Sequence, residues 1–335
     1  MRDFWLSIVV TILGMAAAFL YAGPAAAFIT LVLGVLEVSL SFDNAVVNAG
    51  VLKDMAPVWQ RRFLTWGILI AVFGMRLLFP VLLVAVVAGM HLPDVVRLAL
   101  EQPEQYAHHL EASHVQIAAF GGSFLFLVFF SFFLDEEKDV HWIGWLEERL
   151  TTMGKLESME VLLGLLVVII AQWLVPKEIR MDVLLPGVCG VLLFVAVKAL
   201  EDILGGEEHE GQLQRAGLGA FLYLEVLDAS FSFDGVIGAF AITKDVVIIM
   251  LGLMIGAMFV RSLTVHLVRR GTLEQYIYLE HGAHYAIGAL ALLMYVSILQ
   301  PVPEVITGLI GAGLIVLSFF SSLQYNRRHG SVQQH

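Results

Sequence analysis

A helix needs about 20 mostly apolar residues to cross a bilayer, and this chain is built almost wholly from such runs. Ten can be marked off, at 4–22, 25–48, 64–90, 115–134, 159–175, 183–203, 216–242, 246–267, 283–299 and 304–323. The largest intervals between them, 91–114 and 135–158, read as loops of about two dozen residues. That leaves no room for a soluble domain. Hydrophobic residues make up 59% of the chain and charged ones 15%, against about 45–50% and 25% in ordinary soluble domains. The expected fold is therefore an all-α polytopic membrane protein, with the lipid bilayer as its first partner. The first run follows Arg2 as a secretory signal would, but it extends from Phe4 to Tyr21, long for a cleaved segment, and is expected to be a retained helix.

The charges set an orientation. With ten crossings, twelve lysines and arginines fall on the side of the N-terminus, and four (Arg97, Lys177, Arg180 and Lys244) fall on the other. Cytoplasmic loops carry the positive excess, so both termini are expected in the cytoplasm. A net charge of −11 offers no basic face to nucleic acid. Cys189, the single cysteine, reads as a small core residue.

Two of the runs share a motif. Leu36-Glu37-Val38-Ser39-Leu40-Ser41-Phe42-Asp43-Asn44 matches Leu227-Asp228-Ala229-Ser230-Phe231-Ser232-Phe233-Asp234-Gly235 at an offset of 191. Glu104-Gln105-Tyr106 and His114 match Glu274-Gln275-Tyr276 and His284 at an offset of 170, and Arg76 and Arg261 lie in order between these landmarks. The repeat relates the second run to the seventh, the third to the eighth and the fourth to the ninth. An odd shift reverses direction across the membrane, so the expectation is two inverted five-helix repeats, 1–175 and 176–335, as in many secondary transporters.

The repeated unit centres on acids. Glu37, Asp43, Glu225, Asp228 and Asp234 lie in apolar surroundings, where each costs about 2.5–3.5 kcal/mol at a span centre. Arg76 and Arg261 can neutralise only two. Glu37 and Asp43 are six residues apart, about 240° around a continuous helix. Either the span shows polar groups to two neighbours, or it unwinds near Ser-Phe-Asp, where Asn44 and Gly235 tolerate a left-handed backbone. Carboxylates with Ser39, Ser41, Asn44, Asn48, Ser230 and Ser232 form an all-oxygen set suited to a hard divalent cation such as Mn²⁺, Ca²⁺ or Mg²⁺. Such an ion would be a substrate; no tightly bound cofactor is expected.

Glu111 with His114, and His281 with His284, stand at the start of the fourth and ninth runs and are candidate gate residues on opposite faces. The acidic stretches 135–139 and 207–210 read as solvated cytoplasmic loops. No Walker loop, nucleophile elbow or HExxH motif is present, so the chain is not expected to be an enzyme.

At its Ser-Phe-Asp-Asn and Ser-Phe-Asp-Gly copies, over about residues 25–320, the chain resembles the TerC-like integral membrane proteins, named for tellurium resistance; the run Tyr278–Tyr285 is similar to a bacterial branch of that family. The resemblance implies a place in the LysE transporter superfamily, a bacterial plasma-membrane location and Mn²⁺ export. It also implies an ion site of Glu37, Asp43, Asn44, Asp228 and Asp234. Alternating access with proton exchange is the expected mechanism, since membrane carboxylates can take up H⁺ when metal leaves. The alternative is a non-transporting scaffold or accessory protein in the metal or tellurite stress response.

Overall fold

The computed structural model describes residues 2–63, 65–136, 138, 140–154, 156, 158–204 and 218–329, less some side chains within the helices. Every element among the described residues is helical. In chain order these are α1 (Trp5–Leu40), α2 (Phe42–Lys53), α3 (Pro57–Phe63), α4 (Trp66–Leu69), a π-helical segment (Ile70–Leu78) and α5 (Phe79–Ala88). There follow α6 (Leu92–Glu101), α7 (Pro103–Ala112), α8 (His114–Phe133), α9 (Gly144–Gly154) and α10 (Met159–Leu174). The remainder comprises α11 (Arg180–Leu204), α12 (Leu218–Ile242), α13 (Val246–Arg270), α14 (Thr272–Gln275), α15 (Leu279–Leu299) and α16 (Glu304–His329).

Six helices among the described residues are long and apolar enough to cross a membrane, within Trp5–Leu40, His114–Phe133, Lys177–Leu200, Val246–Arg270, Leu279–Leu299 and Ile306–Arg328. α12 matches them in length but carries Glu225, Asp228 and Asp234. Their outer faces are apolar: Leu20, Phe28, Leu185 and Leu309 are all more than half exposed. Such a surface suits lipid and would associate in water.

α1 is two helices joined by a tight reversal. Gly23 has φ +81°, next to the non-helical Ala22 and before Pro24, a conformation glycine adopts without cost. In a straight helix Gly14 and Gly34 would lie ~30 Å apart, yet a methyl on either would meet Ile255 of α13 at 3.1 Å. The chain therefore doubles back, and both arms pack on α13. The first arm is pinned by Ser7, whose hydroxyl donates to the Met258 carbonyl at 2.7 Å. The second arm lies close because Gly252 and Gly256 present no side chains to Leu33 and Glu37. Small residues at helix contacts let backbones approach in this way.

α8 and α15 pack antiparallel: Gly122 lies against Tyr295, Phe129 against Gly288, and the Phe132 ring stacks on His284. α11 approaches α8 through Gly187 and Gly190. Cys189 is on the opposite, exposed side of α11 and is not a core residue. The interval 91–114 is likewise no open loop. It forms α6 and α7, which bury Val95, Ala99, Tyr106 and Leu110.

Candidate functional site

The polar residues of the two motif copies meet inside the bundle. Glu37, Asn44, Asn48, Arg76, Glu225, Asp228 and Arg261 are all at least nine-tenths buried. The copies run antiparallel, as two reciprocal contacts establish. Asn44 Nδ2 donates to Asp228 Oδ1 at 2.8 Å, and a methyl on Gly235 would lie 2.5 Å from Glu37 Oε2. Residues 44 and 235 are repeat equivalents, as are 228 and 37.

Arg76 joins the copies. One guanidinium nitrogen donates to Glu37 Oε1, and the other lies 3.7 Å from Asp228 Oδ2 while donating to the Ala71 carbonyl at 2.7 Å. It projects from the π-helical segment, and such irregular turns are frequent at functional sites. Ser41 supports Glu37 through a 3.3 Å hydrogen bond. Arg261 lies 3.6 Å from Glu225 and stacks over the Phe63 ring.

Asp43 and Glu37 line one small cavity of about 30 Å³, with Ser41, Phe231, Gly235 and Gly311, about the room of a single water or ion. The two acids share it because the helix is interrupted at Ser41 (φ −102°, ψ 20°) between α1 and α2. The first copy is kinked there rather than unwound: Ser41 N–H still donates to the Glu37 carbonyl and Ala45 N–H to the Ser41 carbonyl. Neither Asn44 nor Gly235 is left-handed, and in the second copy α12 runs unbroken. Asp43 Oδ1 accepts from the backbone N–H of Asn44 at 2.9 Å.

This centre holds several buried polar atoms without a hydrogen-bond partner: the oxygens Asn44 Oδ1, Asn48 Oδ1, both of Glu225 and Asp228 Oδ2, and the nitrogens Arg76 Nε, Arg261 Nε and Arg261 Nη2. Buried polar atoms are rarely left so. Among the described residues, however, no three His, Cys, Asp or Glu side chains converge closely enough to hold a metal. In this arrangement arginine supplies the positive charge.

Not every expected residue joins the centre. Ser39 is exposed and bonds back to the Val35 carbonyl, and Ser230 bonds to the Val226 carbonyl. The side chains of Ser232 and Asp234 lie outside the described residues, as does the stretch 207–210. The histidines separate. His114 borders a pocket of about 400 Å³ together with Glu111, and Glu111 is 3.7 Å from Lys244. His284 borders a second pocket, of about 420 Å³. His281 faces neither, and its Nε2 donates to the Val140 carbonyl at 2.8 Å.

A family model described as "Protein of unknown function (DUF475)" matches residues 42–329. The chain belongs to that family. Comparison with curated proteins and with solved structures finds no match. The DUF475 match begins at Phe42, so it takes in Asp43, both arginines and the whole second motif copy but stops short of Glu37.

Within the DUF475 stretch lies a residue that sequence reasoning missed. Glu147 is fully buried in α9, where it accepts from the backbone N–H groups of Trp142 (3.2 Å) and Ile143 (3.1 Å), from Lys138 (3.3 Å) and from the Tyr285 hydroxyl (3.1 Å). His281 and His141 stand at 3.4 and 3.6 Å. Burial pushes the Glu147 carboxyl up, but the Ile143 N–H and the Lys138 ammonium outweigh it and hold the group below the ordinary glutamate range. At Lys138 burial outweighs Glu147 and holds the ammonium below the ordinary lysine range. The available signal was Trp142-Ile143-Gly144-Trp145 ahead of Glu147, a helix start where an acid can reach back to free N–H groups.

Proposed function

We propose that this protein is a secondary transporter of a divalent cation, Mn²⁺ by preference, that crosses the membrane ten times as two inverted five-helix repeats. The observation that carries the reading is the set of buried oxygens without a hydrogen-bond donor on Asn44, Asn48, Glu225 and Asp228, all on α2 and α12, the helices that bring the two motif copies together. Oxygen ligands favour hard cations, and acids buried between crossing helices mark ion pathways.

Three contacts support the inversion. The motif copies pack antiparallel through reciprocal residues, the equivalent helices α8 and α15 also pack antiparallel, and the reversal at Gly23 makes two passes of α1. The charge bias then puts both termini in the cytoplasm of a bacterial plasma membrane.

Arg76 is the counter-charge of Glu37 and Asp228 when no cation is bound. A cation that reaches Glu37 and Asp228 displaces the guanidinium, or protons take its place, which links metal release to H⁺ uptake. TerC-like Mn²⁺ exporters are the family resemblance that fits this scheme. The test is metal flux in proteoliposomes, ion by ion. Wild type should move Mn²⁺, and Asp43→Asn and Asp234→Asn should each abolish flux in folded protein. Flux at the wild-type rate in both variants defeats the site.

One observation favours a non-transporting scaffold: Arg76 and Arg261 already pair three of the buried acids. On that reading the protein binds no divalent ion at any pH.

A further inference from the structure

Two large pockets open at opposite ends of the α8–α15 pair. His114, at the start of α8, borders one, and its repeat equivalent His284, near the start of the antiparallel α15, borders the other. They differ in what they reach. The His114 pocket shares two wall residues, Leu290 of α15 and Thr307 of α16, with the cavity of Glu37 and Asp43. The His284 pocket shares none.

We propose that the His114 pocket is the aqueous route between the acid cavity and one face of the membrane, and that Leu290 and Thr307 form its neck. The inference rests on the cation-transport reading above. The sizes fit a dehydration step. A volume of about 400 Å³ holds a hydrated divalent ion, since each water takes about 30 Å³ of liquid. The cavity beyond the neck, about 30 Å³, takes the ion stripped of most of its waters.

The neck is built for that exchange. Leu290 is 9% exposed and offers no ligand, whereas Thr307 offers a hydroxyl oxygen at the point where water must be shed. The pocket itself carries polar groups. His114 Nε2 lies 3.3 Å from Ser297 Oγ, and that hydroxyl spends its own hydrogen on the Met294 carbonyl at 2.6 Å. The imidazole therefore donates from Nε2, leaving Nδ1 as a neutral lone pair. Glu111 adds a carboxylate at the rim. The arrangement described here is accordingly the one open to the His114 end and closed toward His284.

The experiment uses full-length protein in proteoliposomes, with Cys189→Ser removing the sole cysteine. Thr307→Cys is probed with a charged, membrane-impermeant thiol reagent from either face, with and without Mn²⁺, and Leu290→Trp is assayed for flux. Labelling should come from the His114 face alone and slow several-fold in Mn²⁺. Leu290→Trp should cut flux about tenfold or more, since an indole fills a closely packed neck. Mn²⁺ binding by wild type without protection of Thr307→Cys, or labelling from both faces, overturns the route and leaves the cargo reading standing. So does wild-type flux in Leu290→Trp. Failure of wild type to bind Mn²⁺ overturns both. Should Leu290→Trp fail to fold, the labelling of Thr307→Cys decides alone.

Discussion

Asn44 holds Asp228 by a 2.8 Å hydrogen bond from its amide, so the last residue of one motif copy orients the leading acid of the other. Replacing Asn44 with Ala leaves Asp228 Oδ1 without its donor in a buried setting. Hydrogen bonds to charged groups are worth about 1.5–3 kcal/mol, and a destabilisation of that order is expected in thermal or denaturant unfolding of detergent-solubilised protein. An unchanged midpoint would show that the two copies are not coupled through this bond.

Gly235 is the reciprocal residue. Gly235→Ala puts a methyl 2.5 Å from Glu37 Oε2, and overpacking of this kind costs about 1–3 kcal/mol. Glu37→Asp draws the carboxylate back by one methylene, so the double variant should recover much of the loss. A double-mutant cycle with no coupling between the two sites would refute the contact.

Arg76 faces Glu37 and Asp228 together. Arg76→Gln strands both carboxylates, and an uncompensated buried charge costs about 3–5 kcal/mol. A divalent ion is the natural replacement for the lost guanidinium. Mn²⁺ should therefore raise the melting temperature of Arg76→Gln more than that of wild type, by the linkage of binding to stability, about 2.7 kcal/mol at a hundredfold excess over Kd. No Mn²⁺-dependent shift in either protein would favour the scaffold.

The cluster around Glu147 sets a pH limit on the 138–154 segment. Lys138, His141, His281 and Tyr285 all face its carboxylate, which titrates below the ordinary glutamate range. The stabilisation it supplies is complete above the unfolded value of about 4.3 and fades as pH falls through the lower folded value. Amide exchange in α9 should thus stay protected at pH 5 and accelerate only in stronger acid. Glu147→Gln should be less protected at pH 5 and insensitive to that acid window. Acceleration already between pH 6 and 5 in wild type would point instead to the histidines.

Much of this was legible in the sequence, for reasons that particular residues make plain. Gly23-Pro24 divided two apolar runs, and there the chain turns back on itself. The acids were conspicuous because apolar runs give them no local partner, and the gathering of Glu37, Asn44 and Asp228 follows from that. What helical periodicity could not supply was tertiary choice. It put Glu37 and Asp43 on different faces, whereas a single interruption at Ser41 turns both toward one cavity. Ser39, expected among the oxygen ligands, is satisfied by its own helix. Periodicity also gave no hint that Arg76 would reach across to the second copy, or that Glu147 would be buried, because both depend on contacts with α12 or α15, well over a hundred residues away in the chain.

The clasp of the two α1 arms on α13 has a consequence for how the protein is made. The arms emerge among the first forty residues, whereas α13 begins at Val246, so their docking surface is absent for most of synthesis. Until then Ser7 has neither Met258 nor Ser262 to bond, and Glu37 waits in the membrane without its closest packing. Contacts so far apart in sequence form late. The newborn hairpin is thus a half-finished intermediate, open to the translocon, to chaperones or to degradation, and release of a native bundle depends on the arrival of one late helix.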